Sequence, residues 1–156
     1  MFNIQVERII AKPIQKVFDI LSEHAEYKRF SGIDESSLIT EGLTHKNGVG
    51  AVREVVANGN TLHEEIVKYQ APIQIAPDTQ KTAIIGYQII YSTPLPYKHQ
   101  MGEIQLREIG ANSTQAKWVS RGTITTPIIG KLFFDRKIQT NGSRAFGSIL
   151  KYIDSL

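Results

Sequence analysis

The hydrophobic pattern of this chain changes period once near its end, and that change constrains the fold more than any other feature. After a short helical stretch that follows Pro13, apolar residues recur in alternating runs, each ended by Gly, Pro or Asn. From about Pro127 the spacing becomes helical through Leu132, Phe133, Phe146, Ile149, Leu150 and Ile153. The runs predict strands at Phe2–Ile10, Leu38–Thr44, Ala51–Ala57, Thr61–Tyr69, Thr82–Tyr91, His99–Glu108 and Thr114–Gly122. Pro13 opens a helix through Val17, Phe18, Ile20 and Leu21, and Ser22 is placed to cap a second short helix that Gly32 ends. One strand, two short helices, six meandering strands and one long helix make an α+β layout, a single domain over residues 1–156. Only the last helix is long enough to cover the sheet's apolar face.

Turn chemistry sets the pairing. Asn47-Gly48 and Asn58-Gly59 both read as type I′ hairpins, because both central positions of that turn need positive φ. A two-residue loop at Asn58-Gly59 pairs Ala57 with Asn60, Val55 with Leu62 and Arg53 with Glu64 on one face. A three-residue loop would set Glu54 against Glu64, an unfavourable like-charge pair. Because Val55, Leu62 and Ile66 mark the interior, Arg53 and Glu64 are expected to point together into the concave side. Such a pair is either a rim salt bridge in water or a desolvated pair that orients a ligand. On the following strands Tyr87 shares a face with Ile89, Ile104 with Leu106, and Trp118 with Ala116. Tyr87 and Trp118 carry polar atoms that want partners when buried. In the long helix Arg136, Gln139 and Ser143 interrupt the apolar stripe beside Asn141-Gly142. They mark either a kink or a segment spanning a polar cavity.

Composition narrows the function classes. A net charge of +3, with Lys and Arg scattered rather than clustered, gives no nucleic-acid footprint. With no cysteine, disulfides, thiolate nucleophiles and thiolate metal sites are all excluded. His24, His45, His63 and His99 lack metal-site spacing, so no metal and no other cofactor is expected. Gly48-Val49-Gly50 lacks the third glycine of a dinucleotide loop, and no Gly-x-Ser-x-Gly elbow is present. No run of apolar residues is long enough to span a bilayer, and the alternating N-terminus carries no leader pattern. A cytoplasmic protein is the expectation, with a homodimer left open.

The order of elements and the residues at their joints resemble the START-like superfamily, specifically its polyketide cyclase/dehydrase and lipid-transport group. The matching pieces are the segment Ala11–Ser22, Gly48–Arg53, Glu64–Pro72, Gly86–Ile89, Gly102–Leu106, Thr114–Trp118 and the closing amphipathic helix. The segment 73–81 departs from that pattern as an insertion. The resemblance implies a helix-grip fold: a seven-stranded curved antiparallel sheet around the terminal helix, with a cavity of roughly 300–1,000 Å³ between them. It implies binding or carriage of a small hydrophobic, lipid-like or polyketide-like ligand, with catalysis in some members only. The expected ligand-binding residues are Arg53, Val55, Leu62, Glu64, Ile66, Tyr87, Ile89, Ile104, Trp118, Gln139, Ser143 and Phe146, with Thr93–Tyr97 as a mouth. No catalytic residue is assigned. Two rival readings stand beside this one. The first is a cyclase or dehydratase drawing on Glu64, Arg53 and Tyr87; the second is an interaction module facing a protein or a membrane.

Overall fold

The computed structural model describes residues 1–126 and 128–156, the side chains of 128–130 excepted, so Pro127, the expected start of the long helix, lies outside the described residues. The chain runs β1 (Phe2–Ile10), α1 (Ile14–Ser22), a 3₁₀ turn (His24–Arg29), β2 (Glu35–Thr40), β3 (Val52–Ala57) and β4 (Asn60–Ile73). It continues through β5 (Thr82–Thr93), β6 (Tyr97–Gly110), β7 (Ser113–Ile124) and α2 (Ile128–Ser155). The strands form one seven-stranded sheet in the order β1-β7-β6-β5-β4-β3-β2, every neighbouring pair antiparallel. The segment 73–81 is the exposed tip of the β4–β5 hairpin. No described helix is long and apolar enough to cross a membrane.

Both helices lie on the concave face. α1 begins after Pro13, whose fixed φ suits a helix start, and buries Ile14, Val17, Phe18 and Leu21 at helical spacing. The C-terminal half of α2 packs closely on the sheet through Ile149, Leu150 and Ile153, all almost fully buried. Each such side chain contributes about 1.5–3 kcal/mol of burial. The N-terminal half stands off. There Phe134 and Ile138, and Phe146 just past the middle of the helix, are only partly buried against Phe2, Ile4 and Ile124. Two carboxylates pin this helix: Asp135 accepts from the Ile124 amide (3.0 Å), and Asp154 accepts from the Ala11 amide (2.9 Å) and the Arg8 guanidinium (2.8 Å). Gly142 lets α2 approach β1 closely, since a Cβ there would collide with Ile4.

Three expectations need correction. Asn58 and Gly59 both have positive φ and form the expected two-residue turn, but neither Asn47 nor Gly48 does, so segment 41–51 is no hairpin. It is a folded loop stitched by Leu43 N–H to the Val49 carbonyl (3.0 Å), Gly48 N–H to the His45 carbonyl (2.9 Å) and the Asn47 side chain to Glu23 (2.8 Å). Ser22 does not cap the turn that follows it; its hydroxyl donates back to the Asp19 carbonyl. The long helix does not break at Asn141-Gly142, and its inward face is offset by about one residue from the expected stripe. Leu132 and Phe133 are exposed at 61% and 63%, and Arg136 and Gln139 are exposed too.

Candidate functional site

A cavity of about 560 Å³ lies between the sheet and the raised half of α2. Its size falls within the usual range for small-ligand sites. Of the expected residues, Arg53, Val55, Leu62, Glu64, Tyr87, Ile89, Trp118 and Phe146 line it, as do Pro94, Leu95 and Tyr97 from the expected mouth. The exposed lining residues Asn58, Gly59, Pro94 and Lys137 mark its open end.

Four expected residues are not among those lining it. Ile66 and Ile104 point inward, but they are completely buried in the core beneath α1 and the C-terminal turns of α2. Gln139 lies outside the cavity face and accepts from the Asn3 amide (3.2 Å), while Ser143 is half-exposed. The offset of α2 puts Ile138, Asn141, Gly142 and Ala145 where those polar residues were expected.

The inner end of the cavity is a buried charge network built by the Asn58-Gly59 turn. The turn pairs Ala57 with Asn60, Val55 with Leu62 and Arg53 with Glu64, so both charged side chains project to the concave side. Arg53 Nε donates to Glu64 Oε2 at 2.6 Å, with the arginine 1% exposed and the glutamate 7%. This settles the earlier alternative in favour of a buried pair. The guanidinium lies against the Tyr27 ring (4.4 Å) and the Tyr87 ring (5.0 Å), favourable cation–π contacts. Burial opposes the Arg53 charge, but Glu64, Tyr27 and Tyr87 together more than offset it and the pKa rises.

Arg53 Nη1 also donates to His24 Nδ1 (3.1 Å). The other ring nitrogen, Nε2, therefore carries the hydrogen and donates to the Asn47 carbonyl (2.8 Å). Burial, and secondly the neighbouring Arg53 charge, lower the His24 pKa to about 3, so this imidazole is neutral in the folded protein. The 3₁₀ turn and loop 41–51 are thereby bolted to the inner wall of the site.

A second polar cluster spans β5, β6 and β7. Gly102 on β6 pairs with Tyr87 on one side and Ser120 on the other, and the Tyr87 ring lies over it where a Cβ would collide. Trp118 Nε1 donates to the Tyr87 hydroxyl (2.9 Å). β5 and β6 separate beyond this point, and the buried His99 ring fills the gap. Its Nδ1 accepts from the Ile89 amide (3.0 Å), its Nε2 meets Ser120 Oγ (3.0 Å), and its ring stacks on Tyr87 at 5.6 Å. Trp118 in turn stacks on Phe146 with centroids 4.2 Å apart and planes 9° from parallel. Burial raises the Tyr87 and Tyr97 phenols, Tyr97 to about 12, and in both the Glu64 charge adds to the effect.

The sequence reading missed His24, Tyr27, His99 and Ser120. Ser120 was within reach, because it lies two residues beyond Trp118 on the same strand face. The other three come from a 3₁₀ turn and from a gap between strands, which no periodicity marks.

A curved sheet gripping a C-terminal helix over a cavity is the arrangement of a START-like domain. The chain matches the family of polyketide cyclase / dehydrase and lipid transport proteins over residues 1–146, and it belongs to that family. Among solved structures, a START superfamily protein from Mycobacterium smegmatis aligns with a TM-score of 0.72 at 9% identity, covering 99% of this chain and 96% of that one. The Zhui aromatase/cyclase from Streptomyces sp. R1128 aligns at 0.68 with 14% identity, covering 97% and 93%. Norcoclaurine synthase from Thalictrum flavum aligns at 0.62 with 16% identity, covering 97% and 92%. Comparison of the sequence with curated proteins finds no match.

Proposed function

We propose that this protein binds or carries a small hydrophobic ligand that bears a polar group, holding it in the cavity beneath α2. The observation that carries the reading is the shape and lining of that cavity: about 560 Å³, walled by Val55, Leu62, Ile89, Trp118, Ile138 and Phe146, with Glu64, Tyr87 and Ser120 among its polar lining residues. Apolar walls supply affinity and a few fixed polar atoms supply orientation, the usual division of labour in such sites. Family membership supports the same reading, since lipid transport is part of the family's description.

The rival enzymatic reading receives less support from the side chains. Ser120 beside His99 resembles a nucleophile and its base, but Nδ1 of His99 is occupied by the Ile89 amide. A neutral His99 therefore holds its hydrogen on Nε2 and donates it to Ser120, the reverse of what activation of a serine needs. Glu64, the other candidate base, has one oxygen committed to Arg53.

Native mass spectrometry of protein purified without detergent tests the reading. The expected spectrum contains a mass adduct of a small organic molecule, released by organic solvent and absent when Ala145, on the cavity face of α2, is replaced by Trp. An adduct that persists in a folded Ala145→Trp variant would place the ligand elsewhere.

A further inference from the structure

Two hydroxyls at the inner end of the cavity have their direction fixed by their neighbours. The indole N–H of Trp118 can only donate, so the Tyr87 oxygen is the acceptor in that 2.9 Å bond and its own hydrogen is left over. The Ile89 amide likewise can only donate, so it takes the lone pair of His99 Nδ1 and leaves Nε2 as the ring's donor to Ser120 Oγ at 3.0 Å. Burial lowers the His99 pKa, which keeps the ring in this neutral form. The Ser120 hydrogen is then also left over. Neither hydrogen has an acceptor among the described residues, and both residues line the cavity.

The two groups are close by construction. Tyr87 and Ser120 flank the same residue, Gly102, and the Tyr87 ring lies across that glycine toward β7. The Tyr87 Cζ stands where a Gly102 Cβ would be, and Ser120 directly opposes Gly102, a pairing that holds Cβ positions about 4.5–5.5 Å apart, so the hydroxyl end of the Tyr87 ring lies near Ser120. Glu64 bounds the same end. Its Oε2 is taken by Arg53, and its Oε1 has no partner among the described residues. Arg53 gives its Nε hydrogen to Glu64 and an Nη1 hydrogen to His24, and its guanidinium lies against two aromatic faces, so its charge at this inner end is already matched by Glu64.

Resting on the reading of the cavity as a ligand site, we propose that Tyr87 and Ser120 form a two-donor cradle for a carbonyl oxygen. The ligand class that fits is a neutral cyclic or aromatic ketone, quinone or lactone. Its rings lie along Trp118 and Phe146, and any hydroxyl it carries is within the field of Glu64. Two donors satisfy both lone pairs of one carbonyl oxygen, and they set its position in an otherwise apolar chamber. A carboxylate is disfavoured, because the Glu64 charge faces the same space. The pairing of Trp118 with Tyr87 and of His99 with Ser120 has a role here: each ring nitrogen orients a hydroxyl for the ligand.

Calorimetric titration with three probes of one shape tests this: tetralin, α-tetralone and tetralin carboxylate. The ketone is expected to bind about tenfold or more tightly than the hydrocarbon, and the carboxylate more weakly than either. Tyr87→Phe and Ser120→Ala should each weaken ketone binding about 3- to 10-fold, the loss of one hydrogen bond. Both should leave tetralin within about twofold of wild type, which shows that the walls are intact. Equal affinity for ketone and hydrocarbon would overturn the cradle while leaving the cavity reading in place. So would tighter binding of the carboxylate, or equal losses for both neutral probes in the two variants. Failure of all three probes to bind would overturn the cavity reading and the cradle with it.

Discussion

Arg53→Ala is expected to destabilise the protein by about 3–5 kcal/mol, the cost of leaving a buried partner charge uncompensated. The arginine is 1% exposed, its Nε lies 2.6 Å from Glu64, and its guanidinium touches the faces of Tyr27 and Tyr87. Removing it strands the Glu64 carboxylate, frees His24 Nδ1 of its donor and opens a void between two tyrosine rings. The double replacement of Arg53 by Met and Glu64 by Leu should recover most of the loss, because it removes both charges and keeps apolar volume. Urea unfolding near neutral pH reads both outcomes. A loss under about 1 kcal/mol for the single change is the signature of a solvated surface pair, and it would contradict the burial argued above.

The second large effect concerns pH. His24 is held neutral in the folded protein, with a pKa near 3, whereas the unfolded chain takes up its proton near 6.5. Below pH 6.5 the unfolded state therefore binds more protons, and stability falls as the pH falls. His99, lowered by burial, acts in the same direction. Each histidine contributes a slope of up to about 1.4 kcal/mol per pH unit. The carboxylates of Glu103, Asp135 and Asp154 are held below their ordinary values, so their stabilisation is lost only at lower pH. Unfolding free energies measured between pH 7 and about 4.5 thus report mainly the histidines. In that window wild type should lose roughly 2–3 kcal/mol through His24 alone, and His24→Gln should show a visibly shallower slope. Glutamine can still accept from Arg53 and donate to the Asn47 carbonyl, which separates titration from lost hydrogen bonds. An unchanged slope in this variant would mean that His24 titrates normally in the folded state.

Sequence and structure agree where a local rule had no tertiary competitor. Asn58 and Gly59 both take positive φ at an exposed hairpin tip, so the turn alone set the register that joins Arg53 to Glu64. Asn47-Gly48 carries the same dipeptide and fails, because its loop is held by His24 and Glu23 from a distant segment. The strands, their order in sequence and the C-terminal helix were all legible from period and punctuation. The face of that helix was not. Leu132 and Phe133 are the apolar residues that anchored the expected stripe, yet both are exposed, and Phe134 and Ile138 face the cavity instead. A helix that stands off the sheet over a void has few contacts to discipline its pattern. Periodicity is therefore weakest at the element that matters most for the site. Ile66 and Ile104 illustrate the converse limit, since strand alternation gives the face but not how deep along it the core ends and the cavity begins.

The central claim is that the space beneath the raised half of α2 receives a small apolar molecule. Methyl NMR tests it most directly, with Val, Leu, Ile and Ala methyls labelled and α-tetralone titrated to saturation. The account predicts shifts that saturate together at one equivalent and are largest at Val55, Leu62, Ile89, Ile138 and Ala145, which line the cavity. Ile66 and Ile104, buried in the core, should move little. Shifts absent from the lining residues, or confined to exposed positions such as Leu43 and Leu132, would contradict it.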